Sequence, residues 1–96
     1  MRIIAKRRLV EMATHHGDCV DQVLEWYNAA RRATWRNLLE VRETYRHADA
    51  VGDHTVFNIK GNDYRLIVAI RYNTGIIYIE HLLTHAEYDK GKWKDE

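Results

Sequence analysis

HTVFNIKGNDYRLIVAIRYNTGIIYIEHLL, residues 54–83, is the stretch that decides the fold. Three runs, 54–60, 64–72 and 76–83, are rich in branched and aromatic residues, as β-strands are. The two breaks between the runs consist of Gly, Asn, Asp and Thr, residues that tight turns favour. The stretch therefore predicts an antiparallel meander of three strands.

Alternation along the first of these strands separates two faces. Phe57 and Ile59 fall on one face, and Asn58 and Lys60 fall on the other. A sheet with one apolar face needs helices to cover that face, while its other face stays partly open. We expect the functional residues on the open face.

The first half of the chain shows the spacing of amphipathic helices instead. Asp18 follows Gly17 and is predicted to be the N-cap of the second helix. The elements predicted in this half are a strand at Arg2–Ile4, helices near 5–16, 18–34 and 35–41, and a loop over 42–52.

After the meander, Thr84 and Glu87 have the spacing of a capping box, which predicts a short C-terminal helix through Asp89. The fold class is thus predicted to be α+β, with N-terminal helices packed on one face of a small antiparallel sheet. A chain of 96 residues suits one domain, spanning 1–96.

Composition indicates the cellular compartment of the protein and constrains how it could bind nucleic acid. The single cysteine, Cys19, makes an internal disulfide impossible, and no long apolar run predicts a membrane segment, so we expect a cytoplasmic protein. The formal net charge is only +1. Nucleic-acid binding, if present, must therefore depend on local arrangement rather than on bulk charge.

Lys60 and Arg65 flank the first predicted hairpin turn. Two cations close together suit a phosphate that gains negative charge during cleavage. The alternative is that both residues only keep a sheet surface soluble.

His85 and Tyr88 are the candidates for proton transfer. They lie three residues apart in the predicted last helix and share one side of it. The alternative places His85 in an exposed loop and Tyr88 in the core. No metal site is predicted, because His81 and His85 would lie about 13 Å apart on an extended strand.

Two segments, His54-Thr-Val-Phe-Asn-Ile-Lys-Gly-Asn-Asp-Tyr-Arg-Leu-Ile and Leu83-Thr-His-Ala-Glu-Tyr-Asp-Lys, resemble the HigB toxins of bacterial type II toxin-antitoxin systems. The resemblance is carried by about the last 40 residues. It implies a RelE-like fold and a ribosome-dependent endoribonuclease that cuts translated messenger RNA without a cofactor. It also implies a cognate HigA-like helix-turn-helix antitoxin as partner, besides the ribosome and mRNA.

On this resemblance the catalytic residues are Lys60, Arg65, His85 and Tyr88, with Arg65 as the phosphate-contacting arginine. The sequence departs from the family pattern in its near-neutral net charge, since toxins of this kind are often basic. A non-catalytic RNA- or protein-binding module of the same fold is the alternative function, and a purely structural domain is a third. Further RNA contacts are expected from His54, Asn58, Asn62, Arg71, Asp89 and Lys90.

Overall fold

The computed structural model describes residues 1–95 of the chain. Its elements follow the order predicted from sequence, with one additional strand. The strands are β1 (Arg2–Ile4), β2 (Asp49–Val51), β3 (His54–Ile59), β4 (Tyr64–Arg71) and β5 (Ile76–Thr84). The helices are α1 (Lys6–His16), α2 (Val20–Arg32), α3 (Leu38–Thr44) and α4 (His85–Lys90), followed by a 3-10 helix at Lys92–Asp95.

The strands form one sheet in the order β1-β5-β4-β3-β2. The meander of β3, β4 and β5 is antiparallel, as predicted. The prediction of a purely antiparallel sheet is wrong, because β1 pairs in parallel with β5, with Ile3 opposite Ile77. Parallel pairing is possible here because α1, α2 and α3 lie between these strands in the chain and provide the long crossover that it requires.

A single core cluster joins α1, α2 and α3 to one face of the sheet. Trp26 of α2 meets Phe57 of β3 edge-on, with ring centroids 5.3 Å apart. Leu9 of α1, Val41 of α3 and Leu66 of β4 are fully buried in the same cluster. Because β3 and β4 alternate regularly, their remaining side chains lie on the opposite face.

A β-bulge changes which side chains of β5 reach that opposite face. Ile67 pairs with His81, but the next residue, Val68, pairs with Ile79, so Glu80 is an extra residue in β5. The bulge shifts the alternation by one residue. His81 and Leu83 therefore share the face of Ile67 and Arg65, whereas Leu82 is buried toward the helices.

The opposite face is partly covered by the end of the chain. Trp93, only 4% exposed, packs on Val56 and Ile67 in a second, smaller apolar cluster. Tyr88 and Leu83 pack against the same cluster. The C-terminal segment thus crosses part of the face that the sequence predicted to be open.

Three sequence expectations in the first half need correction. The third helix begins at Leu38 rather than near Trp35, because Asn37 caps it by accepting a hydrogen bond from the Glu40 amide at 3.0 Å. The predicted loop over 42–52 contains β2, whose three residues are too few to show a period. Asp18 is not an N-cap: Cys19 occupies that position without a side-chain hydrogen bond.

Among the residues that the structure describes, no helix has the length and apolar content needed to cross a bilayer.

The main core predicts a large effect for one substitution. Phe57→Ala removes a fully buried ring that contacts three aromatic neighbours, so we expect a loss of about 3–5 kcal/mol in the free energy of unfolding by urea. The control is Leu39→Ala on α3, where the side chain is 73% exposed and the expected change is below about 0.5 kcal/mol. Equal effects of both variants would contradict this description of the core.

Candidate functional site

Arg65 stands on β4, on the face away from the main core, directly opposite Asn58 of β3 and Leu83 of β5. Its guanidinium donates to the Asn62 carbonyl at 3.1 Å and to Asn62 Oδ1 at 2.7 Å. A third bond reaches the Tyr64 carbonyl at 3.2 Å. Because a guanidinium carries five N–H groups, the β3–β4 turn orients Arg65 and still leaves donors for an anion.

Helix α4 begins where β5 ends, at the same end of the sheet. Thr84 Oγ1 accepts from the Glu87 amide at 3.1 Å, and Glu87 Oε1 accepts from the Thr84 amide at 2.9 Å. The bond from the Thr84 amide lowers the pKa of the Glu87 carboxyl. The His85 amide donates to the Asp63 carbonyl at 3.0 Å, which joins the start of α4 to the β3–β4 turn beside Arg65.

Tyr88 lies on the side of α4 nearest to Arg65, and His85 begins the helix beside the β3–β4 turn. The His85 Nε2 atom is 3.1 Å from Asp89 Oδ2, one helical turn further on. The Arg65 Cζ atom lies 5.6 Å from the centroid of the Tyr88 ring, a cation-π distance. Three of the predicted catalytic residues therefore meet at one corner of the sheet.

Trp93 holds the tyrosine of this corner in place. Its indole stacks on the Tyr88 ring at 5.5 Å with an interplanar angle of 16°, and its Nε1–H donates to the Tyr88 carbonyl at 3.4 Å. Trp93 is itself anchored on Val56 and Ile67. The orientation of Tyr88 thus depends on apolar packing beneath the corner.

The structure does not bring Lys60 to this corner, contrary to the sequence expectation. Strand β3 ends at Ile59, and Lys60 has a left-handed backbone with φ of 54°, so strand alternation no longer decides where its side chain lies. Its ammonium instead binds Asp18 Oδ2 at 2.9 Å, on the helical side of the sheet. The Tyr64 hydroxyl donates to the other oxygen of Asp18.

The shared hydrogen bonds of this second cluster shift the pKa values of its members. The bonds from Tyr64 and Lys60 lower the pKa of Asp18. The bond to Asp18 raises the pKa of Tyr64 to about 12 and also raises the pKa of Lys60. These shifts move the pKa values of all three groups further from neutral pH, so none of them is suited to proton transfer there.

The residues expected to contact RNA fall at different distances from the corner. Asn62 and Asp89 bind Arg65 and His85 directly, and Asn58 is the cross-strand neighbour of Arg65. Lys90 ends α4. The other two are separated from Arg65: His54 begins β3 with its ring edge-on to Trp93 at 5.6 Å, and Arg71 lies six residues further along β4, roughly 20 Å away.

Across residues 1–95, no three His, Cys, Asp or Glu side chains lie close enough together to hold a metal ion.

Residues 19–91 match a family model described as HigB_toxin, the RelE-like toxic component of a toxin-antitoxin system. The chain belongs to this family. No curated protein matches its sequence. The matched range contains β2 to β5 and α4, and therefore the whole Arg65–His85–Tyr88 corner, whereas α1 and Trp93 lie outside it.

Two residues that support this toxin's site were not predicted from sequence. Trp93 follows Gly91 in a charged tail and has no periodicity that would indicate burial, although a tryptophan there is itself a signal. Asp18 has the sequence position of a helix cap, and only the folded chain shows that it binds the β3–β4 turn.

The anchoring of Tyr88 gives a prediction. Trp93→Ala removes the ring that stacks on Tyr88, so we expect faster backbone hydrogen exchange across His85–Lys90, with less change in α2, because α4 buries none of its own residues fully. The control, Lys92→Ala, alters an exposed neighbour and should leave α4 exchange unchanged. Unchanged α4 exchange in Trp93→Ala would refute the anchoring role.

The Asp18 cluster predicts a pH dependence of stability. The folded pKa of Asp18 lies below its ordinary value of 3.8, so its ionised form stabilises the fold above that pH, and this contribution is lost as the pH falls through the folded value. In urea unfolding followed by circular dichroism, the stability difference between the wild type and Asp18→Asn should be constant near neutral pH and shrink below pH 3.8.

The matched background for this test is Tyr64→Phe, which removes the largest cause of the low Asp18 pKa. In that background, Asp18→Asn should show a smaller pH dependence. A stability difference between the wild type and Asp18→Asn that stays level at all pH values would argue against the cluster.

Proposed function

We propose that this toxin is an endoribonuclease that cuts mRNA on the translating ribosome, in the cytoplasm, by attack of a ribose 2′-hydroxyl on the adjacent phosphate. The convergence of Arg65, His85 and Tyr88 at one accessible corner supports this proposal. Cationic stabilisation and two proton-transferring groups are what such a transesterification requires. Membership of the HigB family supports it independently.

His85 is proposed as the general base. With its Nε2–H donated to Asp89, the Nδ1 atom remains free to accept the proton of the 2′-hydroxyl. The oxygen then bonds to phosphorus, giving a pentacovalent intermediate. Lys60, the alternative base suggested by sequence, is not proposed for this role, because its ammonium is paired with Asp18.

Arg65 is proposed to bind the non-bridging oxygens as charge develops on them, since Asn62 already orients its guanidinium. Tyr88 donates its hydroxyl proton to the departing 5′-oxygen. The bond between phosphorus and that oxygen breaks, which leaves a 2′,3′-cyclic phosphate on one fragment and a 5′-hydroxyl on the other.

The remaining partners follow from the same proposal. The ribosome holds the message in a reactive geometry, a contribution that can exceed that of any single side chain. A toxin of a toxin-antitoxin system has an antitoxin partner, which we propose to be a HigA-like helix-turn-helix protein. We also propose that the packing of α1, α2 and α3 on one sheet face is the RelE-like arrangement.

The decisive test compares variants in a purified translation system. Arg65→Ala should reduce cleavage of a translated message by roughly 100-fold or more, by loss of transition-state charge stabilisation. His85→Ala and Tyr88→Phe should each reduce it by a comparable order. Cleaved ends are mapped by primer extension, and the upstream fragment is assayed for a 2′,3′-cyclic phosphate.

Two matched controls lie outside the corner. Arg31→Ala changes an exposed arginine at the end of α2, and Tyr78→Phe changes a tyrosine opposite Ala69, further along the same sheet face. Both should cleave like the wild type. Full cleavage by folded Arg65→Ala would overturn the assignment, and a wild-type toxin that binds but never cleaves would favour a non-catalytic module.

A further inference from the structure

A cavity of about 250 Å³ lies beside the catalytic corner, on the outer edge of β3. Strand β2 begins at Asp49, opposite Val56, so the part of β3 beyond Val56 has no strand neighbour on that edge. The connection between α3 and β2 borders this gap instead. Arg46 and His47 from that connection line the cavity together with Asn58 and Gly61.

The connection is held firmly by its own bonds. The Ala48 amide donates to the Tyr45 carbonyl at 2.9 Å, closing a tight turn whose two central residues are Arg46 and His47. Arg42 Nε donates to the Ala48 carbonyl at 2.8 Å. The Tyr45 ring packs edge-on against Phe57 in the core, at 5.4 Å. The exposed pair Arg46 and His47 is therefore presented by an ordered turn.

The polar side chains around this cavity are unused within residues 1–95. Arg46, His47 and Asn58 form no side-chain hydrogen bond, ion pair or ring contact there. Asp49, the nearest acid in sequence on the β2 side, is paired with Arg42 at 3.3 Å. Unused donors grouped at one cavity are typical of a binding site for a polar, anionic ligand.

An adjoining cavity extends the groove toward the β3–β4 turn. It shares Tyr45, Asn58 and Gly61 with the first cavity, and its further lining residues include Glu25, Trp26 and Lys60. The indole N–H of Trp26 is buried without a hydrogen-bond partner among the described residues. The two cavities thus form one groove along the edge of β3.

Asn58 connects this groove to the catalytic corner. It lies directly opposite Arg65 on the same face, at the separation of neighbouring strands, about 5 Å. An RNA chain whose scissile phosphate lies on Arg65 therefore passes its next nucleotide over Asn58 and into the groove.

We propose that Arg46, His47 and Asn58 form a subsite for the nucleotide adjacent to the scissile phosphate. Arg46 and His47 bind its backbone phosphate, and Asn58 bonds to its base or ribose. The inference rests on the proposed function for the identity of the ligand. Basic side chains without acidic partners favour RNA over an acidic protein surface, because the groove is small and one of its lining residues, Asn58, is the cross-strand neighbour of Arg65.

The test measures RNA binding without cleavage. A short, fluorescein-labelled, single-stranded RNA with 2′-O-methyl groups cannot be cut, and its affinity is measured by fluorescence anisotropy. Arg46→Ala should weaken binding roughly tenfold and lower the slope of log affinity against log salt by about 0.7, the value for one lost phosphate contact on a single strand. The Arg46 side chain makes no hydrogen bond, ion pair or ring contact in the described chain that its loss would disrupt.

Arg31→Ala is the matched control, since it removes the same charge from an exposed arginine on α2. Its affinity should equal that of the wild type. The subsite is overturned if both variants lose affinity equally, if Arg46→Ala binds normally, or if the wild type does not bind the probe. It is also overturned if Arg46→Ala loses only antitoxin binding, which would identify a protein surface.

The two proposals can fail separately. If the wild type never cleaves a translated message but Arg46→Ala alone weakens probe binding, the subsite stands and the endoribonuclease assignment fails. If the wild type cleaves a translated message and Arg46→Ala binds the probe normally, the endoribonuclease assignment stands and the subsite fails.

Discussion

The burial of β4 on both faces is the constraint on which the rest of the structure depends. Leu66 and Val68 are fully buried against the helical layer, and Ile67 between them is fully buried on the other side. A strand with this pattern cannot slip by one residue without exchanging its two apolar faces. Because Arg65 shares the face of Ile67, the register that satisfies the core also decides where the guanidinium stands.

The second apolar cluster positions the side chains around Arg65. Ile67 and Val56 offer too little surface to bury one another fully, so Trp93 from the end of the chain covers them. The same indole stacks on the Tyr88 ring, and the Tyr88 ring also lies at cation-π distance from the Arg65 guanidinium. The corner formed by Arg65, His85 and Tyr88 is thus the polar rim of a small core, which explains how side chains on a helix of six residues keep a defined geometry.

The strands, the hairpin turns and the capping box were predictable because each depends on neighbours in the sequence. The capping box at Thr84 needs only residues three apart, and it placed His85 and Tyr88 correctly on α4. Lys60 shows the limit of such reasoning. Its own left-handed backbone, directly after the last residue of β3, ends the strand alternation, and its ammonium binds the carboxylate of Asp18, 42 residues away in the sequence. The parallel pairing of β1 and the bulge at Glu80 likewise depend on contacts between distant segments.

The formal net charge of +1 does not describe the local electric field, because some charged groups are paired and others are not. Asp18, Glu40 and Asp49 are each neutralised by a cation within 3.3 Å. Arg46 and His47 lack such partners in the described chain, and Arg65 is oriented by uncharged acceptors of Asn62 and Tyr64. An anion approaching this corner therefore meets positive groups whose charge is not cancelled by a paired acid. Local pairing, rather than the total of +1, therefore decides the electric field at this corner.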